Sequence, residues 1–473
     1  MAHVRLFKHY VPYPLIVLAA IEGVLLFLSL LIGNWVRFGL FEQRIFDALL
    51  LDNAVLVSAA VYTVVMLLCT MAMGVYSAGL RSGNGAMAVR TVVAYCLLGC
   101  ASLTVLYYVL PYLYMGRGVL FYSIVTALAL VIPSRWVFLR LVDTEALRTR
   151  ILVLGVGDNA SRLASDLAEG HAGVAKIVGF VQTSADETVR VEGNVLQRNS
   201  GLLELARAAD ASEIVVALDD RRAGPGSAFP LKELFACKLQ GIRVSDAVTL
   251  CERELGVVPL TEITPGWLVF SSGFSNGSLW QGLKRACDVM ISLLILLVVW
   301  PLMVLAALLV MLESGRPVIY RQMRVGLGGR PFEIFKFRSM VADAEKEGEA
   351  VWASSNDSRV TRVGAFLRNT RIDELPQLWN VLRGDMSIVG PRPERPEFID
   401  ELSADLPYYN ERHHVKPGLM GWAQLNYPYG ASVEDAAQKL RYDLYYVKNK
   451  SIVLDLIIMV QTVQVILLGM GVR

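Results

Sequence analysis

Apolar residues fill the first third of the chain in four long blocks, near residues 12 to 32, 50 to 75, 88 to 110 and 119 to 139. A helix needs about 20 residues to cross the hydrocarbon core of a bilayer, and each block reaches that length. The pattern predicts four transmembrane helices. The first block is too long for the apolar core of a signal peptide, has no small-residue cleavage site behind it and is followed by further spans, so it is expected to be retained.

From residue 150 the pattern changes. Arg150-Ile151-Leu152-Val153-Leu154 reads as a buried strand, Gly155-Val156-Gly157-Asp158-Asn159-Ala160 as a tight turn into a helix, and further strands are predicted at 177 to 181, 213 to 218 and 241 to 244. Strands alternating with helical stretches predict a doubly wound α/β, Rossmann-like domain. The turn has the dinucleotide form Gly-x-Gly-x-x-Ala, in which Gly155 and Gly157 would let backbone amides approach a phosphate. The acid that should hold a ribose about 20 residues later is missing: Phe180-Val181-Gln182 stands there, with no acid before Asp186. Gly155 and Gly157 are thus weak cofactor-binding candidates, and a scaffold, dimer contact or sensor is the favoured use of the domain.

A fifth apolar block, residues 287 to 312, is long enough to span a membrane but has cytoplasm-type charge at both ends: Lys284 and Arg285 before it, Arg316, Arg321 and Arg324 after it. Pro301 lies near its middle and divides it into two arms of about 18 Å, each short of the roughly 30 Å hydrocarbon thickness. A re-entrant hairpin fits this pattern, with a proline-kinked crossing helix as the alternative. The last block, Ser451 to Arg473, places Ser451, Asp455 and Thr462 on one stripe with Gln461 and Gln464 alongside. It reads as an interfacial helix.

Basic residues orient the N-terminal bundle. Arg5, Lys8, Arg81, Arg90, Arg140, Arg148 and Arg150 fall on one side and Arg37, Arg44 and Arg117 on the other, which predicts that both the N-terminus and everything after residue 145 face the cytoplasm. Composition agrees with a membrane protein: 54% of the 473 residues are hydrophobic and only 19% charged. A formal net charge of +2 gives no reason to expect a nucleic-acid partner. The six cysteines form neither a disulfide framework nor a metal-ligand spacing.

The candidate chemistry lies in Arg371-Ile372-Asp373-Glu374-Leu375-Pro376-Gln377-Leu378-Trp379-Asn380-Val381-Leu382-Arg383-Gly384-Asp385-Met386-Ser387-Ile388-Val389-Gly390-Pro391-Arg392-Pro393. On physical grounds alone Asp373 and Glu374 are an acidic helix start, Pro376 fits the first turn, and Gly384 ends the helix. Upstream, alternation in Phe335-Lys336-Phe337-Arg338 sends both cations to one strand face and both rings to the other. Residues 284 to 371 hold thirteen Lys or Arg and eight Asp or Glu, an excess of five positive charges that suits anionic phosphates beside a membrane. Residues 342 to 358 read as a mobile segment or a plain solvated loop.

Taken with Tyr320-Arg321-Gln322 to Arg324-Val325-Gly326, Phe335 to Met340, and Val415-Lys416-Pro417-Gly418-Leu419-Met420-Gly421-Trp422-Ala423-Gln424, this span closely resembles the bacterial polyprenyl-phosphate hexose-1-phosphate transferases, which are monotopic phosphoglycosyl transferases. The resemblance covers about the last two hundred residues. It implies a C-terminal α/β phosphoglycosyl transferase domain with a re-entrant membrane helix. The implied organisation is a four-helix transmembrane domain at 1–145, a Rossmann-like domain at 146–275 and the catalytic domain at 276–473. The family carries a serine before the proline of its broken helix, where this chain has Trp300.

The resemblance further implies that Asp373 attacks the phosphorus of a UDP-sugar to give an aspartyl-phosphosugar intermediate, which the phosphate of undecaprenyl phosphate resolves, with release of uridine monophosphate. Asp373 and Glu374 are the expected ligands of Mg2+, and Lys336 and Arg368 the expected phosphate contacts. Arg338, Pro391, Arg392, Lys416 and Gln424 are the expected substrate-binding residues. Glucose is the first expected donor, with galactose or an N-acetylhexosamine behind it, at the start of exopolysaccharide, capsule or O-antigen synthesis. The implied location is the cytoplasmic face of the bacterial inner membrane, with the bilayer as a partner and a homodimer through the α/β domain as a further one. Asp385 reads as a turn cap, Trp422 as a packing or interface residue, and the His413-His414 pair as no zinc site. Two rival readings are a membrane nucleotide-sugar dehydratase, for which Tyr446 and Lys450 have the right spacing but no preceding nucleotide fold, and a nucleotide-sensing scaffold of polysaccharide export.

Overall fold

A computed structural model of the chain describes residues 3–6, 9–42, 53–73, 84–141, 149–169, 175–183, 187–198, 200–219, 229–263, 265–271, 273–274, 277–341, 359–428, 430 and 432–468. The expected mobile segment at 342–358 lies outside them. A short hairpin, β1 (His3–Leu6) and β2 (His9–Pro12), precedes α1 (Tyr13–Glu42) and α2 (Asn53–Ala72). Then come α3 (Asn84–Val93), a π-helical turn (Ala94–Gly99), α4 (Cys100–Val109) and α5 (Arg117–Leu141). The helical stretches at Ile16–Phe38, Asn53–Ala72, Met87–Val109 and Arg117–Phe138 are each long and apolar enough to cross a membrane. They pack around Leu26, Leu30, Tyr62, Met66, Tyr95 and Leu103. A buried ion pair sits among them: Arg135 donates to both Glu22 carboxylate oxygens, at 2.5 and 2.7 Å, and to Thr91 Oγ1. In an apolar bundle such a pair persists because each charge satisfies the other.

The central domain has a five-stranded parallel sheet. Its strands are β3 (Thr149–Leu154), β4 (Ala175–Gln182), β5 (Val195–Gln197), β6 (Glu213–Val216) and β7 (Arg243–Asp246), in the order β5-β4-β3-β6-β7. The strand order reverses at β3, as in doubly wound sheets, and the interleaved helices are α6 (Asp158–Glu169), α7 (Leu202–Ala208), α8 (Leu231–Leu239) and α9 (Ala247–Glu254). Alternate residues of β3 feed two cores, Ile151 and Val153 on one face and Leu152 and Leu154 on the other. The four predicted strands are present. The three-residue β5 was not expected, because it is too short for alternation to register.

A short helix α10 (Pro265–Phe270) leads to α11, which runs from Ser278 to Ser314 without interruption. This corrects the expectation that Pro301 separates two arms. Proline removes one amide donor, and the turns on either side keep their own hydrogen bonds, so the helix continues at the cost of one bond. Its middle is exposed and apolar, with Leu297 at 72% and Trp300 at 59% exposure, whereas Asp288 and Ser292 near one end and Ala306 and Val310 near the other are buried against the rest of the chain.

The C-terminal domain then builds outward from this helix. The antiparallel hairpin β8 (Ile319–Val325) and β9 (Pro331–Phe337) is followed by α12 (Arg362–Asn369), a 3-10 turn (Ile372–Glu374) and α13 (Gln377–Arg383). The parallel pair β10 (Ser387–Val389) and β11 (Gly418–Met420) flanks α14 (Pro396–Asp405) in sequence, and α15 (Trp422–Asn426), α16 (Val433–Asn449) and α17 (Ile452–Leu468) close the chain. Leu378, Val381, Ile388, Val389, Leu440, Leu444 and Tyr445 form its core. The central and C-terminal domains are joined by Arg441 to Asp166 (3.1 and 2.5 Å), Lys448 to Glu252 (2.6 Å) and Trp422 Nε1 to the Gly256 carbonyl (2.8 Å).

Candidate active site

The adjacent carboxylates sit in the 3-10 turn and not in a regular helix. Arg371 before them adopts a left-handed backbone (φ 58°), which turns the chain sharply after α12, and Ile372 is pinned among Ala306, Val310, Phe337 and Leu367. Asp373 and Glu374 are each only 7% exposed, yet their surroundings differ. Arg392 donates to Glu374 Oε1 at 2.8 Å, Lys336 Nζ lies 3.4 Å from the same oxygen, and Arg371 is 3.8 Å from Oε2. Among the described residues nothing donates a hydrogen bond to the Asp373 carboxylate.

Titration follows from that asymmetry. Burial pushes Glu374 upward, but Arg392, Lys336 and Arg371 outweigh it and hold the carboxyl well below its usual range. Burial and the neighbouring Glu374 charge raise Asp373, against the pull of Lys336, Arg392 and Arg368. Burial also lowers Lys336, opposed by Glu374. The result is one carboxylate locked in an ion cluster and one that, among the described residues, accepts no hydrogen bond while feeling the same cations.

The supporting frame explains how this short span is held. Asn380, fully buried on α13, donates from Nδ2 to the Glu333 carbonyl (2.7 Å) and accepts from Phe335 N (3.1 Å), fastening the Lys336 strand to the helix that follows the carboxylates. Arg412 donates to the Arg392 carbonyl (2.9 Å), and its charge is met by Asp443 at 2.8 Å. Neither Asn380 nor Arg412 was anticipated from the sequence. Buried polar residues inside a motif carry no periodic signal, and only the contact across the chain reveals them.

The remaining candidates divide. Arg368 donates to Ser339 Oγ at 2.8 Å and pulls electrostatically on Asp373. Pro391 is buried directly before Arg392. Arg338 is engaged elsewhere than Lys336: just past the end of β9 at Phe337, its guanidinium caps the end of α11 at the Ser314 and Gly315 carbonyls. Lys416 lies beside Arg285 at Gly384, the far end of α13 from Asp373. Gln424 lies against Gly421, next to the Gly390 segment. Trp422 packs between the domains through its bond to Gly256. Asp385 follows the left-handed Gly384, its amide donates to the Asn380 carbonyl, and its carboxylate pairs with Arg383 at 3.3 Å.

No group of three or more metal-ligating side chains occurs among the described residues. His413 is buried, and burial together with Arg412 lowers it to about 4. A magnesium ion needs only one or two carboxylates when phosphates complete its shell. Asp373 fits that demand. Glu374 fits it only by giving up a cation from Oε1. The Tyr446–Lys450 pair does not form a dyad: Tyr446 donates to the Val389 carbonyl and Asp455, and Lys450 to the Phe274 carbonyl. At the glycine-rich turn, Asp219 accepts from Asp158 N (3.1 Å) and Asn159 N (2.9 Å), and Glu187 accepts from Val156 N (3.0 Å). A β-carbon at Gly157 would collide with the Asp219 carboxylate. The protein's own carboxylate therefore stands where a bound phosphate would meet the helix start.

Residues 279–469 match the family model described as bacterial sugar transferase. Over 255 residues the chain is 40% identical to a UDP-N-acetylgalactosamine-undecaprenyl-phosphate N-acetylgalactosaminephosphotransferase of Aeromonas hydrophila, covering 54% of this chain and 58% of that protein. It is 34% identical over 338 residues to an undecaprenyl-phosphate glucose phosphotransferase of Komagataeibacter xylinus, covering 68% of this chain and 59% of that protein. A UDP-glucose:undecaprenyl-phosphate glucose-1-phosphate transferase of Caulobacter vibrioides is 46% identical over 182 residues, 38% of this chain and 68% of its own length. The chain thus spans about three fifths of the Aeromonas and Komagataeibacter proteins.

Proposed function

The chain belongs to the bacterial sugar transferase family, and we propose that it transfers a sugar 1-phosphate from a UDP-sugar to undecaprenyl phosphate, releasing uridine monophosphate. The observation that carries this reading is the unpartnered Asp373 carboxylate beside a cation cluster. An oxygen of Asp373 attacks the phosphorus bonded to the sugar, the bond from that phosphorus to the bridging oxygen breaks, and uridine monophosphate leaves with the electron pair. The lipid phosphate then attacks the same phosphorus, giving the lipid diphosphate sugar and freeing Asp373. A raised carboxylate is also the more nucleophilic one, whereas Glu374 is held by its cations as an anchor. Lys336 and Arg392 face the diphosphate and offset the negative charge that gathers there. Mg2+ held by Asp373 and the diphosphate, with Glu374 on exchange of a cation, would lower the cost of bringing two anions together.

The membrane arrangement follows from α11. Both of its ends are buried against the C-terminal domain while its middle exposes apolar side chains, which supports a membrane helix that keeps both ends on one face. With the four N-terminal spans and the basic-residue bias, that face is the cytoplasmic side of the inner membrane, where UDP-sugars are available. Glucose is the first donor proposed, with galactose or an N-acetylhexosamine next, and the product starts exopolysaccharide, capsule or O-antigen synthesis.

The test is an assay of purified membranes with undecaprenyl phosphate and each labelled UDP-sugar in turn. Uridine monophosphate and an organic-soluble labelled sugar should appear together with one donor and vanish in Asp373→Asn. Full activity of that variant, or conversion of the UDP-sugar without uridine monophosphate, would overturn the proposal.

A further inference from the structure

The helix α11 is fastened to both flanks of the carboxylate turn. Near its first end, Asp288, 3% exposed, accepts from Ser387 Oγ at 3.0 Å and Ile388 N at 3.2 Å through one oxygen. Lys284, one turn earlier, pairs with Asp288 (3.2 Å) and with Asp455 of α17 (2.7 Å), and Tyr446 bridges Asp455 and the Val389 carbonyl at 2.8 and 3.0 Å. Strand β10 is thereby held on the membrane helix. Three residues beyond it, Arg392 reaches Glu374. Near the other end, Glu313 accepts from Arg362 N and Val363 N, both at 3.0 Å, and so caps α12, while Ala306 and Val310 pack on Phe337 and Ile372, the neighbours of Lys336 and Asp373.

We propose that Asp288 is a positioning residue: through Ser387 and Ile388 it sets the place of Arg392 over the Asp373–Glu374 pair, so that the seating of a membrane helix is read out at the reacting centre. This rests on the transferase reading above. Asp288 touches neither carboxylate, and its effect runs through six residues of rigid chain with Gly390 and Pro391 in it. The Gly390 amide donates to the Met420 carbonyl at 2.9 Å and the Pro391 carbonyl accepts from the Gly418 amide at 2.8 Å, with the Gly390 and Gly418 backbones in close contact, which leaves the segment little freedom to absorb a shift. A displacement of β10 therefore arrives at the guanidinium. Misplacing a catalytic contact by about 1 Å costs on the order of a hundredfold in rate.

The experiment uses the full chain in nanodiscs. Asp288→Ala should lower kcat by about tenfold to a hundredfold. Asp288→Asn keeps an acceptor for both donors and should stay within about threefold of the wild type. The decisive comparison is a cycle with Arg392→Ala: if Asp288 acts through Arg392, Asp288→Ala adds little to the Arg392→Ala loss. Multiplying losses, or an Asp288→Asn loss as large as that of Asp288→Ala, would overturn the proposal. Should Asp288→Ala not fold, Ser387→Ala removes one of the two hydrogen bonds and is put through the same cycle with the same criteria. Absence of uridine monophosphate release by the wild type would instead sink the transferase reading itself.

Discussion

Asp373 and Glu374 are adjacent in the chain and equally buried, but Glu374 is held by Lys336, Arg371 and Arg392 while Asp373 accepts no hydrogen bond from any described residue. The left-handed Arg371 and the 3-10 turn make this possible, because neighbours in such a turn point about 120° apart. One carboxylate can then face its clamp while the other faces a substrate.

That division predicts a pH signature. In the proposed reaction Asp373 attacks as the anion, so kcat/KM should be present above its folded pKa and lost as pH falls through it. Because burial and Glu374 raise that pKa, the acid limb should lie above the usual carboxylate range near 4. Glu374→Gln removes one cause of the raise and should move the limb to lower pH. It also releases Lys336 and Arg392, and kcat should drop by about a hundredfold. A pH series of initial rates for both proteins checks the two effects together.

His413 should limit stability in acid. Its pKa is lowered from 6.5 to about 4, so the unfolded chain binds the proton first as pH falls, and stability is lost from about pH 6.5 down to about 4. His413→Gln removes this titration. Thermal unfolding in detergent at pH 5 and pH 7.5 should show a smaller pH difference in the variant than in the wild type.

The junction between the central and C-terminal domains should depend on Arg441. Its guanidinium makes two bonds to Asp166, and both side chains are largely buried. Arg441→Ala should destabilise the protein by about 1–3 kcal/mol and expose the junction to limited proteolysis. Adding Asp166→Ala should cost less than the two single losses combined, because no unpaired charge is left behind.

The glycine-rich turn should be blocked by its own chain. Asp219 caps α6 through the amides of Asp158 and Asn159. Asp219→Ala should cost about 1 kcal/mol as a lost helix cap and should make inorganic phosphate stabilising where it has no effect on the wild type. Melting curves with and without phosphate measure both.

How much of this was legible in the sequence follows the physics of each signal. The apolar blocks became helices because length and hydropathy are local properties, and β3, β4, β6 and β7 appeared because buried parallel strands are continuous apolar runs. The carboxylate pair and Lys336 came together as anticipated. Arg338 did not, since the open carbonyls at the end of α11 take its guanidinium, and Lys416 lies at the opposite end of α13. Asp219 filling the turn, Asn380 clipping β9 and Asp288 holding β10 are contacts between residues far apart in sequence, which no period or composition encodes.

The most direct measurement is the intact mass of protein mixed with a UDP-sugar in the absence of undecaprenyl phosphate and quenched in acid. A mass gain equal to one sugar phosphate, mapped to Asp373 and discharged when the lipid phosphate is added, is the predicted result. An unmodified mass, with turnover that requires both substrates bound at once, would contradict it.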